Sequence, residues 1–390
     1  MLALAACSKT ETLEVNKGNE ISLSAVTGKN LTKAADGYCN SSLPDNFFVW
    51  AATQNKLYFG EQKYFKEGST YKADGAARYW PASAVDFFAA LNYGTSTPSF
   101  EPGDATASPA VPSSLSVSGY TVETTVANQK DFIYAVNKGV SNPGGGAAAS
   151  LNFRHALSQI EFQAKNLNEN IYVYIDGLKV ANVKNQGDFS INASTSENYV
   201  NHTHDNTAES DTRAVGTRCS WTNQTGKVSY EVSFSQTAVA YSATGDPVSL
   251  TTSDTGTKEY NDNTMYLLPQ SITPWVKSVT EPKATASNNT YFVVKALIYN
   301  VAGATFNPST DVVLWGDNTS GSWKTKEIAV QLPSSFSWED GKRYVYTFNF
   351  TNYGVGGSDP DTGGDVLTPI TLEVKVDDFV DAGNTDVEVK

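Results

Sequence analysis

The first chemistry that the sequence suggests is attachment of a lipid to a cysteine. Residues 4–7 read Leu-Ala-Ala-Cys, so small residues precede Cys7, and a polar chain follows it. Small side chains here fit the narrow groove of a signal peptidase, and the cysteine would then carry acyl chains. The pattern predicts lipidation at Cys7 and a protein anchored to a membrane through lipid. The alternative is a chance apolar start with a buried thiol.

Two other sets of residues have the types needed for a metal site or a disulfide. His202 and His204 alternate ahead of Asp205, which is the spacing of a two-histidine metal clip on a strand. The segment is rich in Asn and Thr and offers no evident third ligand, so we predict no metal site. Cys39 and Cys219 could pair in an oxidising compartment, with free thiols as the alternative.

Nothing in the sequence reads as a catalytic constellation. The chain has three histidines, and His155 is predicted to be a structural hydrogen-bonding residue on a helical turn. No G-x-S-x-G, H-E-x-x-H or phosphate-binding loop is present. Asp377 and Asp378 are adjacent, so on a strand they would face opposite sides. We therefore predict no enzymatic activity and no cofactor.

Composition narrows the class of protein. The 390 residues carry a formal net charge of -13 with no basic block, which argues against nucleic acid as a partner. Charged residues make up 18%, while Thr, Ser, Asn, Gly and aromatic residues are prominent, as in β-strands joined by polar turns. No stretch approaches the ~20 consecutive apolar residues of a spanning helix.

Alternating apolar residues predict strands along most of the chain. The clearest are residues 21–26, 46–54, 131–136, 171–175, 228–234, 291–301, 328–332 and 370–376. Residues 153–160 fit one face of a short helical turn, and Asp176 with Gly177 predicts a hairpin turn. No long amphipathic helix is visible, so the pattern favours β-sandwiches.

Several stretches coincide, in order, with one protein family. They read ISLSAVTGK, FFVWA, RYWPASAVDFFAALNYG, DFIYAV, LNFRHALSQIEFQAK, MYLLPQ, SWEDGKRYVYTFNF and ITLEVKVDDF. The chain resembles the fimbrillins (Mfa-like proteins), the lipoprotein-derived subunits of type V pili in Gram-negative anaerobes. The resemblance covers nearly the whole chain after Cys7. It implies an all-β fold of two tandem transthyretin-like β-sandwich domains with short helical turns, and a role as shaft, tip or anchor subunit.

The resemblance also implies a maturation step. Fimbrillins reach the outer membrane as lipoproteins, and a trypsin-like protease then removes the N-terminal strand. The removable strand here is residues 21–26, with Ile21, Leu23 and Ala25 on one side. The family often shows Arg followed by Ala in the next loop. The nearest match is Lys33 followed by Ala34, which we take as the processing site, with a solvated loop lysine as the alternative.

In this family the groove left behind accepts a C-terminal strand from the next subunit. Two stretches are candidates for that donor. Val374 and Val376 alternate well, although they could belong to the chain's own sheet. Val387 and Val389 form a weaker short strand after a Gly-Asn turn. A chain whose end is used in its own fold would be a terminal subunit, so shaft and tip roles both stay open.

We divide the chain at its polar stretches. Residues 1–33 would be a lipoprotein signal remnant, a tether and the removable strand. Residues 34–192 would form an N-terminal β-sandwich domain, and residues 193–390 a C-terminal one that includes the C-terminal strand. Expected partners are other fimbrillin subunits, the maturation protease, a host or bacterial surface ligand and the outer membrane through lipid.

A second function remains open from the aromatic residues. Four tryptophans lie beside polar segments and could form a platform for sugars: Trp221, Trp275, Trp315 and Trp323. The alternative is therefore a monomeric cell-surface lipoprotein that binds glycans. Ordinary packing in the core explains the same residues.

Overall fold

The structure is a computed structural model. It describes residues 15–27, 44–104, 106–192, 219–251, 263–303, 305–319, 323–332, 334–352 and 356–378. These residues are nearly all in strands or the turns between them, with one 3₁₀ turn at Val126–Asn128. The expectation of an all-β fold is confirmed.

The first 155 residues contribute eleven strands, numbered in chain order. They are β1 (Val15–Glu20), β2 (Leu23–Thr27), β3 (Asn46–Thr53), β4 (Lys56–Glu67), β5 (Thr70–Ala73), β6 (Tyr79–Pro81), β7 (Val85–Leu91), β8 (Pro98–Glu101), β9 (Ser114–Thr121), β10 (Ile133–Val140) and β11 (Ala149–His155).

The residues after β11 contribute the other strands. They are β12 (Ser158–Asn166), β13 (Ile171–Val183), β14 (Gln186–Asn192), β15 (Cys219–Thr225), β16 (Val228–Val239), β17 (Val248–Ser249), β18 (Met265–Leu267), β19 (Ser271–Ile272), β20 (Tyr291–Asn300), β21 (Val312–Trp315), β22 (Lys326–Val330), β23 (Phe336–Ser337), β24 (Lys342–Phe350), β25 (Gly356–Ser358) and β26 (Asp365–Asp378).

Seven of the early strands form a sheet that closes on itself, in the order β10-β11-β2-β5-β4-β3-β7. Closure removes the open edges that a flat sheet would expose. Alternate residues of each strand point inward and form one core, which includes Phe47, Tyr64, Phe87 and Leu151. The predicted strand at residues 46–54 is confirmed, and both of its faces are buried because Trp50 packs into a second core outside the closed sheet.

The later strands form a larger sheet, in the order β16-β13-β20-β22-β25-β26-β24-β12-β17, with β18 beside β12 and β21 beside β20. A four-stranded sheet, β15-β14-β9-β8, completes the main layers. The largest core gathers side chains from both of these sheets and from the outer faces of β3, β7 and β10. That shared core joins the early and late parts of the chain.

Pairing crosses the division at residue 192 that the sequence predicts. β12 and β13 precede this residue, yet they pair with β24, β16 and β20, which follow it. β14 pairs with β9 on one side and with β15 on the other. The closed sheet and the large sheet separate instead at residues 156–157, between β11 and β12. The division into two domains stays a prediction.

Two local predictions are wrong. Residues 153–160 do not form a helical turn, because β11 runs through His155 and Leu151 and Phe153 alternate into the closed core. Asp176 and Gly177 do not form a hairpin turn and instead lie inside β13 at a bulge. A Cβ on Gly177 would lie 2.8 Å from Lys295 Cδ, so this glycine permits close approach of strands rather than chain reversal.

Within the ranges described above, no helix is long and apolar enough to cross a membrane.

Candidate interaction site at the N-terminal strand

The strand that the resemblance singles out as removable is an integral part of the closed sheet. β2 runs parallel to β11 over five residue pairs, from Leu23 with Ala149 to Thr27 with Phe153. On its other side it meets β5 at a single pair, Leu23 with Tyr71. β2 therefore closes the sheet between these neighbours, and most of its ladder is made with β11.

The inward side chains of this segment are among the most buried in the protein. Ile21 and Leu23 are 0% exposed, and Ala25 is 7% exposed. All three belong to the core inside the closed sheet. Burying two such aliphatic side chains stabilises the fold by about 3–6 kcal/mol in total, at about 1.5–3 kcal/mol each. Removing the segment would expose this core to water.

Backbone hydrogen bonds continue on either side of β2. The amide of Ile21 donates to the carbonyl of Arg78 at 2.7 Å, and the amide of Ala149 donates to the carbonyl of Ser22 at 2.9 Å. Before them, β1 pairs antiparallel with β6, through Val15 with Pro81 and Glu20 with Tyr79. The N-terminal segment thus consists of two strands, of which the sequence analysis predicted only the second.

Tyrosines line the groove that β2 fills. Tyr71 Oη donates to the carbonyl oxygen of Pro44 at 2.8 Å, and burial, with a smaller contribution from Asp45, raises the pKa of Tyr71 to about 12. Burial also raises the pKa of Tyr64 well above its ordinary value. At neutral pH these hydroxyls are uncharged, so the site presents apolar rings with polar tips and no buried charge.

Arg78 marks the rim of the groove. Its guanidinium donates to Gln62 Oε1 at 2.6 Å through Nη2 and 3.0 Å through Nε, and it lies 5.3 Å from the centre of the Phe59 ring. These contacts hold the carbonyl of Arg78 in place as the acceptor for Ile21. The rim is therefore formed by residues outside the N-terminal segment.

β11 depends on β2 for most of its backbone partners. Within the described residues β10 and β11 pair at Ile133 with His155 and at Tyr134 with Arg154, near the end of β11. Toward the start of β11, the Asn137 side-chain amide of β10 donates to the Ser150 carbonyl at 2.7 Å.

The far end of β11 is fixed by a buried polar pair. His155 Nδ1 lies 2.8 Å from Asp131 Oδ2, and the two side chains are 5% and 0% exposed. The predicted structural hydrogen-bonding role of His155 agrees with this contact, although its position on a strand differs from the prediction. The end of β11 at His155 is therefore held by this polar pair, whereas residues 149–153 are held mainly by the backbone hydrogen bonds with β2.

The C-terminal strand is paired within the chain's own sheet. β26 pairs with β24 over nine residue pairs, from Ile370 with Phe350 to Asp378 with Lys342. Val374 and Val376 are half-buried against the largest core. This candidate donor is therefore already in use. Val387 and Val389, the other candidate, lie outside the described residues.

The four tryptophans of the alternative function do not form one platform. Trp275 is 1% exposed and lies in a small core with Tyr291. Trp221 packs against Phe132 and Phe189 and donates to the Ala156 carbonyl at 2.8 Å.

The other two tryptophans are half-buried by their own neighbours. The Trp315 ring lies 4.4 Å from Lys326 Nζ, and the Trp323 ring packs on Tyr174 at 4.9 Å. Internal contacts therefore occupy all four side chains of the predicted sugar platform.

Several predicted sites lie outside the described residues. They are the lipidation site Cys7, the processing site at Lys33 and Ala34, Cys39, and the histidines of residues 202–204. Cys219 is buried, and its backbone amide donates to Tyr134 Oη at 2.9 Å. Burial raises the pKa of the Cys219 thiol well above its ordinary value, which keeps it protonated and unreactive.

Comparison with known proteins defines the class. A model of the fimbrillin-like family matches residues 14–378, which is most of the chain and begins one residue before β1. The chain belongs to the fimbrillin-like family. Membership supports a fimbrial, cell-surface type of protein and favours a non-enzymatic one. No curated protein sequence matches the chain.

One solved structure agrees with this fold. The chain is similar to a fimbrial protein from Bacteroides vulgatus, with 12% identity, a TM-score of 0.51, and coverage of 92% of this chain and 99% of that one. A "putative cell adhesion protein" from Bacteroides uniformis aligns at 14% identity and a TM-score of 0.40, covering 93% of this chain and 99% of that one.

Sequence reasoning missed two parts of this site. The strand β1 was not predicted because Val15–Glu20 has little alternation of apolar and polar residues. The role of β11 was not predicted because residues 141–150 are rich in Gly, Ala and Ser and show no apolar alternation, although Ala149 and Ser150 begin the strand that pairs with β2. The alternation of Leu151 and Phe153 was the available signal.

Proposed function

We propose that the chain is a structural subunit of a surface pilus. It is exported as a lipoprotein acylated at Cys7, trimmed between Lys33 and Ala34, and joined to the next subunit by strand replacement at the β2 site. The observation that carries the proposal is the position of residues 21–25: Ile21 and Leu23, where the short strand β2 begins, fill the core of a closed sheet.

Chain order supports release of this strand. Residues 28–45 connect β2 to β3, so a cut at Lys33 separates β1 and β2 together from the rest of the chain. Afterwards only non-covalent contacts hold the N-terminal segment. Its loss would leave an apolar groove and unpaired backbone groups along β11, which a strand from another chain can satisfy.

A matching strand needs backbone pairing as well as apolar burial. Micromolar affinity corresponds to about 8 kcal/mol. Two buried aliphatic side chains supply about 3–6 kcal/mol, and ordering the incoming strand opposes that gain. The five-residue ladder along β11 must therefore contribute, at about 0.5–1.5 kcal/mol for each hydrogen bond. The length of the ladder decides how long-lived the link is.

The donor in this proposal is the segment that contains Val387 and Val389 of a second copy. β26 makes nine residue pairs with β24, so withdrawing Val374 and Val376 would open the large sheet. A donor beyond β26 leaves that sheet intact. A chain that both accepts at β2 and donates beyond β26 is a shaft subunit.

A reversible disulfide lock tests strand replacement. Ser24 and Ser150 are register partners on β2 and β11, and neighbouring strands lie about 4.8 Å apart, within the range that a disulfide can span. We expect the double variant Ser24→Cys with Ser150→Cys to be cleaved but to form no polymer under oxidising conditions. Reduction should restore SDS-resistant ladders.

The matched control places a lock in the other strand pair. Val345 and Lys375 are register partners on β24 and β26. Val345→Cys with Lys375→Cys should assemble normally whether oxidised or reduced. Polymer formation by the oxidised β2 lock would contradict strand replacement.

The processing site has its own test. N-terminal sequencing of protein released from the cell surface should give a start at Ala34, and Lys33→Gln should abolish that product. An acylated Cys7 as the only mature N-terminus would contradict the trimming step.

A further inference from the structure

The inward side chains of β2 and β11 are complementary in size at two register pairs. Leu23 lies opposite Ala149, and Ala25 lies opposite Leu151, in the same parallel ladder. All four side chains belong to the core of the closed sheet, with exposed fractions of 0%, 3%, 7% and 0% in that order. A large residue thus faces a small one twice, with the order reversed between the two pairs.

We propose that β11 selects the occupant of the β2 site by this size pattern. The occupant is a strand from a second copy of this chain that runs parallel to β11. It carries a large aliphatic residue opposite Ala149 and a small residue opposite Leu151. The inference rests on the proposed function, since it requires that the β2 site be emptied and refilled.

The pairing pattern makes β11 the selecting strand rather than β5. β2 shares five residue pairs with β11 and one with β5. Within the described residues, positions 149–153 of β11 have no backbone ladder to β10. An occupant therefore supplies the ladder for this stretch, and its side chains are placed directly against Ala149 and Leu151.

The size pattern also fixes the register. A slip of one residue would turn the outward side chains of the occupant toward the core. A slip of two residues in one direction would bring Leu23 against Leu151, which overpacks the core, and a slip in the other direction would bring Ala25 against Ala149, which leaves a cavity. Only one alignment of a strand with the large–small alternation avoids both defects.

This pattern argues against Val374 and Val376 as the donor segment. If Val374 lay opposite Ala149, Val376 would lie opposite Leu151, where the native residue is alanine. If Val376 lay opposite Ala149, Asp378 would bring a carboxylate against Leu151. With Val389 opposite Ala149, Val387 takes the place of Ile21, so this segment puts an aliphatic side chain at each of these two inward positions.

Peptide exchange on the nicked chain tests the proposal. A specific protease site introduced within residues 28–43 allows full-length protein to be cut with all its segments present. Labelled peptides of residues 15–27, either native or size-inverted by Leu23→Ala with Ala25→Leu, are then exchanged into two acceptors. One acceptor is native, and the other carries Ala149→Leu with Leu151→Ala.

We expect each matched combination to bind at least tenfold tighter than either mismatched one. A peptide with Ser24→Ala, which changes an outward position, should bind within twofold of the native peptide. Equal binding of both peptides to the native acceptor would overturn the proposal, as would an inverted acceptor that still prefers the native peptide.

The uncut chain gives a second test that needs no exchange. Ala25→Leu should lower the midpoint of thermal unfolding, and adding Leu151→Ala should recover at least half of the loss. Failure to recover would also overturn the size pattern.

These outcomes are distinguishable from failure of the proposed function. Peptide binding could follow the size pattern while cleaved subunits never polymerise. That result would contradict strand replacement between subunits and support selection by side-chain size. If cleaved subunits polymerise and both peptides bind alike, the pattern fails and the function stands.

Discussion

The N-terminal strand β2 and the C-terminal strand β26 join their sheets in different ways. β2 has five residues, pairs almost entirely with one parallel neighbour, and buries the inward side chains of Leu23 and Ala25, which are 0% and 7% exposed. β26 has fourteen residues, makes nine antiparallel pairs with β24, and leaves Val374 and Val376 half-buried. The short strand derives its stability from side-chain burial, whereas the long one relies more on its backbone ladder.

This difference bears on which end of the chain is replaceable. A strand held mainly by a few inward side chains can be exchanged for any segment that presents equivalent ones. A strand held by a long ladder leaves only when the whole ladder opens. The following predictions compare the two regions, from the largest expected effect to the smallest.

Truncating one aliphatic residue in each strand should give the largest difference in stability between β2 and β26. Leu23→Ala removes a fully buried side chain and should lower the free energy of unfolding by about 2–5 kcal/mol. Val374→Ala removes a half-buried one and should cost about 1 kcal/mol. Chemical denaturation of both variants measures the contrast. Equal losses would show that burial of Leu23 does not govern the stability of β2.

Loosening β11 should affect the N-terminal site more than the C-terminal strand. Asn137→Ala removes the amide that bridges to the Ser150 carbonyl, at a cost of about 1 kcal/mol. We expect hydrogen exchange to accelerate at residues 149–153, while amides of β24 keep their protection. Unchanged exchange in β11 would indicate that β2 alone supports it.

High pH should lower the stability of the closed sheet around the groove that β2 fills. The pKa of Tyr71 is raised to about 12 in the folded protein, from about 10 in an unfolded chain. The folded state therefore favours the neutral phenol, and this stabilisation is present below pH 10 and is lost as pH rises toward 12. Thermal unfolding across pH 9–12 should show the loss, and Tyr71→Phe should reduce it.

Low pH should weaken the turn that leads into β26, with the smallest effect of the four. Burial tends to raise the pKa of Asp359, but hydrogen bonds from Lys326 Nζ at 2.6 Å and from the Asp361 amide outweigh it and lower the pKa to about 2. The stabilisation is present above about pH 4 and is lost as pH falls toward 2.

The control for the acid effect is Asp359→Asn, which cannot ionise. Its unfolding midpoint should change less between pH 4 and pH 2 than that of the native chain. An unchanged slope would assign the acid sensitivity to other carboxylates.

Much of the fold could be predicted from alternation alone. The strands near residues 46–54, 228–234, 291–301 and 370–376 carry regular apolar periods, and the structure contains β3, β16, β20 and β26 there. Alternation predicts these strands well because each has at least one face buried in a core. The prediction of a hairpin turn at Asp176 and Gly177 was wrong because the glycine is required there for another reason. Gly177 resembles a turn glycine, but it accommodates the side chain of Lys295 on the neighbouring strand.

The candidate site was predictable only in part. Ile21, Leu23 and Ala25 showed the alternation of a strand, and the family resemblance indicated its removal. The identity of its neighbour did not follow, because β2 and β11 are more than a hundred residues apart in sequence. The strand β1 has too few apolar residues to be recognised without its partner β6.

The sequence by itself determined that the chain is all-β and that an apolar, alternating segment lies near its N-terminus, because side-chain periodicity is a local property. Only the tertiary structure decided that this segment closes a sheet, that β11 lies beside it in parallel, and that Leu23 faces Ala149 while Ala25 faces Leu151. Strand pairing joins residues far apart in sequence, and the energy that selects a partner arises when their side chains pack in a shared core.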